Sequence, residues 1–313
     1  MLGFVLRRLL YALPILLGVS LFVFALVHLM PGSPIDVLVG NDATPATVAE
    51  IKRMYGLDQP IWVQYGLWLT QVLSGNLGVS IFTGRSITRE LFAAVGATLQ
   101  ITLLAAVVGF TLGIVLGASA ARWHGRWPDK LLSVLSIFGV SVPHYWFGIV
   151  LVVVFSVELQ WLPAQGMGPP GLPLTWEQWK FAILPVATLS MIPMGVVGRL
   201  VRASVLEVLS QEFVDALRAK GLGAVRIAQH VAKNAAPPVL ALMGLQFGYL
   251  LGGSILVETV FNWPGTGNLL NLAIFRRDLP AVQATILLLA FLFVVVNLAV
   301  DVLQAAIDPR MRR

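Results

Sequence analysis

The sequence has no cysteine among its 313 residues. Disulfides, thiolate metal sites and cysteine nucleophiles are therefore excluded. Charge is also scarce, because only 12% of residues are Asp, Glu, Lys or Arg, whereas 58% are hydrophobic. A soluble domain usually has about 25% charged residues. This composition predicts an integral membrane protein, and the long apolar runs indicate that it is all-α.

Signatures of catalysis and nucleotide binding are missing as well. No stretch matches the G-x-x-x-x-G-K-[ST] phosphate loop or the H-E-x-x-H zinc motif. The four histidines are scattered along the chain. We therefore predict that the chain is not an enzyme, has no metal site and binds no cofactor itself.

Six apolar runs are long enough to cross a bilayer, which needs roughly 20 residues. Residues 1–30 are predicted to form an uncleaved first transmembrane helix, and 31–97 an extracytoplasmic segment. A five-helix core spans 98–306, with a cytoplasmic loop at 203–238, and 307–313 form a cytoplasmic tail. The five core spans are predicted at 98–121, 131–157, 181–201, 239–261 and 281–305.

Three aromatic residues recur at helical spacing in the extracytoplasmic segment, namely Trp62, Tyr65 and Trp68. This spacing predicts a short helix. Its rings lie either at the level of the lipid headgroups or in a small extracytoplasmic core. The sequence leaves both alternatives open.

Lysine and arginine are distributed unevenly between the two predicted sides of the membrane. Of the 21 such residues, 14 fall on the side that holds both chain ends and 7 on the other. The 14 are Arg7, Arg8, Arg122, Arg126, Lys130, Arg199, Arg202, Arg218, Lys220, Arg226, Lys233, Arg310, Arg312 and Arg313. Because cytoplasmic loops carry the excess of positive charge, both termini are predicted to be cytoplasmic. Since basic residues flank apolar runs, the net charge of +6 indicates contact with anionic lipid rather than nucleic acid.

Two spans carry glycines at intervals of four residues, which places them on one helix face. Small residues at this spacing let a second helix backbone approach closely. The predicted packing glycines are Gly109, Gly113 and Gly117 in the second span and Gly244, Gly248 and Gly252 in the fifth. Pro185 and Pro193 interrupt the fourth span, which is therefore expected to pack inside the bundle or line a cavity.

Two polar residues within the spans are candidates for a translocation path. His144 follows a proline inside the third span, and polar groups at that depth are costly and often functional. A hydrogen bond to a neighbouring helix is the structural alternative for His144. Glu258 lies near the outer end of the fifth span. Its side chain is expected either to face the path or to cap the following turn.

Residues 210–240 form a polar, basic interruption between apolar runs. Phe213, Ala216 and Leu217 share one face at helical spacing, and a second apolar stripe follows Gly221 and Gly223. The pattern predicts two short amphipathic helices with a glycine break. One interpretation is a solvated loop. The other is a docking element for a cytoplasmic partner, since an exposed apolar stripe needs a surface to cover it.

Residues 215–221 resemble the cytoplasmic signature loop of ABC-importer permeases, a pattern of Glu-Ala-Ala, three residues and Gly. Aspartate replaces the glutamate here and leucine the second alanine. Further matches to the dipeptide, oligopeptide and nickel branch are ALRAKG followed by HVAKNA, Gly252-Gly253-Ser254 to Glu258, Phe261, Trp263-Pro264-Gly265-x-Gly267, Arg277-Asp278-x-Pro280 with Gln283, Gly75-Asn76-Leu77-Gly78-x-Ser80, and Asp308-Pro309-Arg310. The resemblance covers nearly the whole chain and is closest to dipeptide and glutathione permeases.

The resemblance implies a type I importer fold with six transmembrane helices in a bacterial inner membrane. It also implies a second homologous permease subunit, an extracytoplasmic substrate-binding protein and two cytoplasmic ATPases, which bind ATP and Mg. The signature loop then supplies a coupling helix that docks on an ATPase, and the substrates are peptides. The implied coupling residues are Phe213, Asp215, Ala216, Leu217, Arg218, Ala219, Lys220 and Gly221.

Within that set, Phe213, Ala216, Leu217 and Gly221 are expected to form the packing core, with Arg218 and Lys220 as charges at its rim. One alternative is a stand-alone secondary transporter or channel, which needs buried charged relays. A membrane-embedded enzyme is a second alternative, but no Ser-His pair lies at matched depth.

Overall fold

The computed structural model describes residues 2–29, 58–169, 171 and 173–307. In this part of the chain the regular structure is helical, apart from one isolated antiparallel bridge between Val79 and Ser86. Residues 31–57 of the predicted extracytoplasmic segment and residues 308–313 of the predicted tail lie outside the described residues. The all-α class is confirmed.

The described residues contain five membrane spans, or six if one bent helix pair is counted as a span. The helices are α1 (Leu2–Leu29), α2 (Ile61–Leu73), α3 (Ile87–Arg122), α4 (Trp127–Ser141), α5 (His144–Val152), α6 (Trp176–Leu209), α7 (Glu212–Ala219), α8 (Ala224–Val260), α9 (Thr266–Phe275) and α10 (Leu279–Ile307). A π-helix, Val153–Glu158, continues α5. Helices α1, α3, α6, α8 and α10 are long and apolar enough to cross a membrane, and the bent pair α4–α5 makes a sixth if the two helices together form one span.

The third span is bent rather than straight. The axis of α4 and that of α5 with its π-helical extension differ by 99°. Between them, Val142 has an extended backbone with φ −88° and ψ 130°, the conformation that a following proline favours. The predicted span 131–157 is therefore divided at Pro143, which restricts the backbone of Val142.

The second short amphipathic helix was predicted wrongly. Helix α7 is separate, but the residues after Gly223 form the first turns of α8, which continues through Pro237 and Pro238 to Val260. These prolines free the carbonyl groups of Lys233 and Asn234. Both residues are exposed, so water can satisfy the freed carbonyls and the helix need not end there.

Helix α6 is the centre of the bundle. In its most apolar 18-residue stretch 67% of the residues are buried, against 17% in α1 and 6% in α10. Pro185 and Pro193 lie inside this unbroken helix. The burial agrees with the expectation that a proline-containing span packs inside the bundle.

Helix α2 packs against α1 on the predicted extracytoplasmic side. The Tyr65 hydroxyl lies 2.8 Å from the Ser20 hydroxyl. The rings of Tyr65 and Trp68 lie 5.3 and 5.7 Å from that of Phe24. Trp62 stays 73% exposed. Two of the three aromatic rings thus pack against α1, while Trp62 faces outward.

Candidate functional site

Helix α7 is held against the bundle by a small apolar cluster, here called the α7 base cluster. Val214 is 0% exposed and packs with Val208 at the end of α6 and with Val231 and Ala235 in α8. Phe213 is partly buried against the same residues. Because the cluster joins α7 to the spans on either side, a force applied to α7 reaches both α6 and α8.

The C-terminus of α7 ends in a glycine cap. Gly221 has φ +75°, in the left-handed region. Its amide donates to the carbonyl of Arg218 at 2.9 Å, and the amide of Leu222 donates to that of Leu217 at 3.2 Å. These two bonds form the Schellman motif, in which a residue without Cβ turns the chain at no steric cost. Gly221 therefore fixes the direction in which the chain leaves α7.

The rest of α7 presents a mixed, exposed face. The exposed members of the predicted coupling set are Asp215, Ala216, Arg218, Ala219, Lys220 and Gly221, while Phe213 and Leu217 are half-buried. Arg218 donates to Asp215 at 2.8 Å within this face. Val214, the most buried residue of the helix, was missed by sequence reasoning, although it lies three positions before Leu217 at helical spacing.

Glycines of α3 contact the backbone of α6 along three turns. A Cβ on Gly109 would lie 2.8 Å from the carbonyl oxygen of Ser190, and one on Gly113 would lie 2.9 Å from that of Met194. A Cβ on Gly117 would overlap the Gly198 carbonyl. The three glycines predicted to pack are therefore at the α3–α6 contact.

On α8 the predicted glycine face makes fewer contacts. Gly244 lies against Val300 of α10, and a Cβ on Gly248 would lie 3.0 Å from the Phe293 ring. At Gly252 a Cβ would meet no atom within 4 Å. Residues four apart rotate by about 40° around a helix, so the row of glycines leaves the contact with α10 before Gly252.

His144 lies at the bend of the third span. Its Nε2 atom is 3.4 Å from the carbonyl oxygen of Gly253 in α8. The imidazole also lines a cavity of about 50 Å³ together with Pro193 of α6 and the buried Gln246 of α8. The structure thus places His144 where α5, α6 and α8 meet, and its role in a translocation path stays a prediction.

Glu258 is fully buried at the outer end of α8. Its Oε1 atom accepts a hydrogen bond from the Thr98 hydroxyl at 2.7 Å. Its Oε2 atom accepts from the amides of Gly267 at 2.6 Å and Asn268 at 3.2 Å. These amides belong to the first turn of α9, whose N–H groups have no partner within their own helix.

The Glu258 carboxylate therefore caps α9 and cross-links α3, α8 and α9. The indole Nε1 of the buried Trp263 adds a hydrogen bond of 2.9 Å to the Ala97 carbonyl. Of the two roles considered for Glu258, capping of the following turn is the one that this geometry displays.

One ion pair between distant parts of the chain was not anticipated from the sequence. Arg202 donates from Nε and from an Nη atom to the two carboxylate oxygens of Asp129, at 2.6 and 2.8 Å. The residues are 73 positions apart, so no local spacing signals the contact. An aspartate in the first turn of a helix and an arginine near the end of a span are both common for other reasons.

Comparison with known families identifies what this bundle is. Residues 113–313 match the family described as the inner membrane component of binding-protein-dependent transport systems. Residues 1–87 match the N-terminal family of the same membrane component. The chain belongs to this family. It is therefore a multi-pass membrane permease component of an ABC transporter.

Curated relatives match this permease over its whole length. The dipeptide transport system permease protein DppB of Alkalihalophilus pseudofirmus is 39% identical, with 100% of both chains covered. The glutathione transport system permease proteins GsiC of Salmonella paratyphi A and Escherichia coli K12 are 41% and 40% identical. Each match covers 100% of this chain and 99% of the relative. The resemblance to dipeptide and glutathione permeases is thus confirmed, and a stand-alone transporter is not favoured.

A solved structure shares the permease's architecture. The MetNI methionine ABC transporter, solved in inward-facing conformations, matches with a TM-score of 0.56 and 17% identity. The match covers 70% of this chain and 96% of that chain. At this identity the likeness concerns the fold, and the predicted type I importer permease fold is confirmed.

Proposed function

We propose that this permease moves peptides, of the dipeptide or glutathione class, across the inner membrane in an ATP-driven importer. The observation that carries the proposal is the match of 39–41% identity to dipeptide and glutathione permeases over all of their length. A second observation supports it, namely an exposed α7 face on a helix that is anchored to two spans.

The complex that this function requires has four further kinds of component. Two cytoplasmic ATPases bind ATP and Mg, and one of them docks on α7. A second homologous permease completes the membrane part, an extracytoplasmic binding protein delivers the peptide, and lipid surrounds the bundle. The excess of Lys and Arg on the α7 side supports an orientation with α7 and both termini in the cytoplasm.

The coupling mechanism follows from how α7 is attached. Its exposed face enters a cleft on an ATPase, so closure of the ATPases displaces α7 as a rigid piece. Val214 and the α7 base cluster pass the displacement to α6 and α8. Because α6 lies at the centre of the bundle, its tilt changes the access of the pathway between the two membrane sides.

The experiment is purification of the tagged permease from its native membrane, followed by reconstitution of the complex with its binding protein. We expect ATPase subunits to copurify, and labelled dipeptide or glutathione to accumulate with ATP but not with a non-hydrolysable analogue. The two peptides are tested separately to assign the substrate class. Gradient-driven uptake by the permease alone, with no ATPase attached, would contradict the proposal.

A further inference from the structure

The Asp129–Arg202 pair, beside which His124 Nδ1 lies 3.3 Å from the same carboxylate, differs from the ion pairs elsewhere in the described part of the chain. The Asp129 side chain is only 5% exposed, and it also accepts from the Gly125 amide at 3.0 Å and the Ser133 hydroxyl at 3.3 Å. The pairs of Arg8 with Asp301, Lys180 with Glu177, and Arg218 with Asp215 have carboxylates that are 21%, 65% and 75% exposed. The Arg202 side chain is 31% exposed, but leaving the buried Asp129 carboxylate without its partner would be costly.

Helix α4 buries few large apolar side chains in its first turns. Its buried residues are Asp129, Ser136 and Gly139, and none of them is a large apolar side chain. Leu131 and Val134 are 50% and 60% exposed. The bidentate ion pair ties the N-terminus of α4 to α6, and about two turns further on Ser136 packs against Gly195 and Gly198 of α6.

The same helix α6 leads directly into α7. Arg202 lies seven residues before Leu209, or about 10 Å along the helix, and Val208 between them belongs to the α7 base cluster. Further along α4, a Cβ on Gly139 would lie 2.7 Å from the Met191 carbonyl oxygen of α6. Helix α4 is thus attached to α6 at its base by the ion pair and near its bend by close backbone contact.

We propose that Asp129 and Arg202 are positioning residues that couple α7 to the bent span. When α7 displaces the end of α6, the ion pair carries α4 along as part of the same rigid unit. The movement of α4 then shifts the 99° bend between α4 and α5, where His144 lies. Without the pair, the first turns of α4 lag behind, and ATP hydrolysis proceeds with less transport. This inference rests on the proposed function.

The test uses the assembled transporter and separates coupling from folding. Asp129→Asn alone leaves Arg202 without its charge partner and is expected to lower the amount of permease in the membrane. The double variant Asp129→Asn/Arg202→Gln removes both charges, so its abundance should return to near the wild-type amount. Its transport per ATP hydrolysed should nevertheless fall by about fivefold or more. The matched control is Glu177→Gln, which breaks an exposed pair at the other end of α6 and should leave transport per ATP unchanged.

A double variant that transports as much peptide per ATP as wild type would overturn the proposal. The wild-type transporter is measured in the same experiment. If it neither copurifies with ATPases nor takes up peptide, the proposed function fails, and that result is distinct from a failure of the coupling role.

A second measurement leaves the ion pair intact and does not depend on the stability of a variant. Because the chain has no cysteine, spin labels can be placed at Leu131→Cys in α4 and Glu207→Cys at the end of α6. We expect the same label–label distance in the resting and the ATP-trapped transporter. A clear change of this distance in the otherwise wild-type complex would overturn the proposal, since α4 and α6 would then move separately.

Discussion

Gly117 and Gly252 are both helical glycines in rows with four-residue spacing, but their surroundings differ. A Cβ on Gly117 would lie 2.8 Å from the Val201 side chain and would overlap the Gly198 carbonyl, whereas at Gly252 nothing lies within 4 Å. Backbone atoms cannot move aside as a flexible side chain can. The requirement for glycine at position 117 is therefore steric.

We expect Gly117→Ala to lower the free energy of unfolding of the permease by about 1–3 kcal/mol, because α3 and α6 must separate. Gly252→Ala is the matched control and should be neutral or slightly stabilising, since alanine favours helix by about 1 kcal/mol over glycine. The check is the denaturation midpoint of each purified variant in detergent. Equal midpoints for the two variants would contradict the close contact.

The role of Glu258 as a cap of α9 also depends on its immediate neighbours. Glu258→Ala leaves the Gly267 and Asn268 amides without an acceptor, and each unpaired buried group costs about 1–3 kcal/mol. Glu258→Gln should be milder, because its carbonyl oxygen still accepts from these amides while its NH₂ group donates to the Thr98 hydroxyl. Unfolding in detergent measures both variants, and an alanine variant as stable as the glutamine variant would show that the cap contributes little.

At the scale of a single element, α7 combines an anchored side with a free one. Val214 is buried in the α7 base cluster, while Ala216 and Ala219 are exposed. Eight residues are too few for a helix to be stable alone in water. Packing against α6 and α8 on one side and the Gly221 cap at the end therefore keep α7 helical and leave its other side exposed.

Substitutions of Gly221 test the docking of α7. Asparagine tolerates a positive φ better than most residues, and aspartate has the same shape but carries a charge. We expect Gly221→Asn to retain peptide uptake and Gly221→Asp to abolish it with the permease still in the membrane, because the charge would be buried without a partner in the ATPase cleft.

The control for this pair is Gly84→Asp. Gly84 has φ +66° and open space around it, but lies on the predicted extracytoplasmic side. Its substitution should leave uptake intact. Normal uptake by Gly221→Asp would count against docking through this end of α7.

At the scale of the whole molecule, the six spans and the positive charges together predict the orientation. The test introduces single cysteines at two exposed residues, Ala219 in α7 and Thr83 before α3. The chain has no cysteine of its own that would react with the label. In right-side-out vesicles, a membrane-impermeant maleimide should label the cysteine at 83 and reach that at 219 only after lysis. The reverse pattern would show that the excess of Lys and Arg faces outward.

Much of the architecture was determined by the sequence alone. The length and hydropathy of the apolar runs predicted the six spans, since a bilayer admits only segments that satisfy their own backbone hydrogen bonds. The amphipathic pattern around Phe213 and Leu217 located α7, and the match at residues 215–221 predicts that it docks on an ATPase. These features are local, so a single sequence contains them.

Only the tertiary structure decided which surfaces meet. The partners Asp129 and Arg202 are 73 residues apart, and Glu258 and Thr98 are 160 apart. Helical spacing shows which side chains share a face, but not which helix lies opposite, and for this reason the same glycine pattern gives a contact at Gly117 and none at Gly252. The crossing of helices in the bundle sets these pairings, through the shape and charge of surfaces that are distant in sequence.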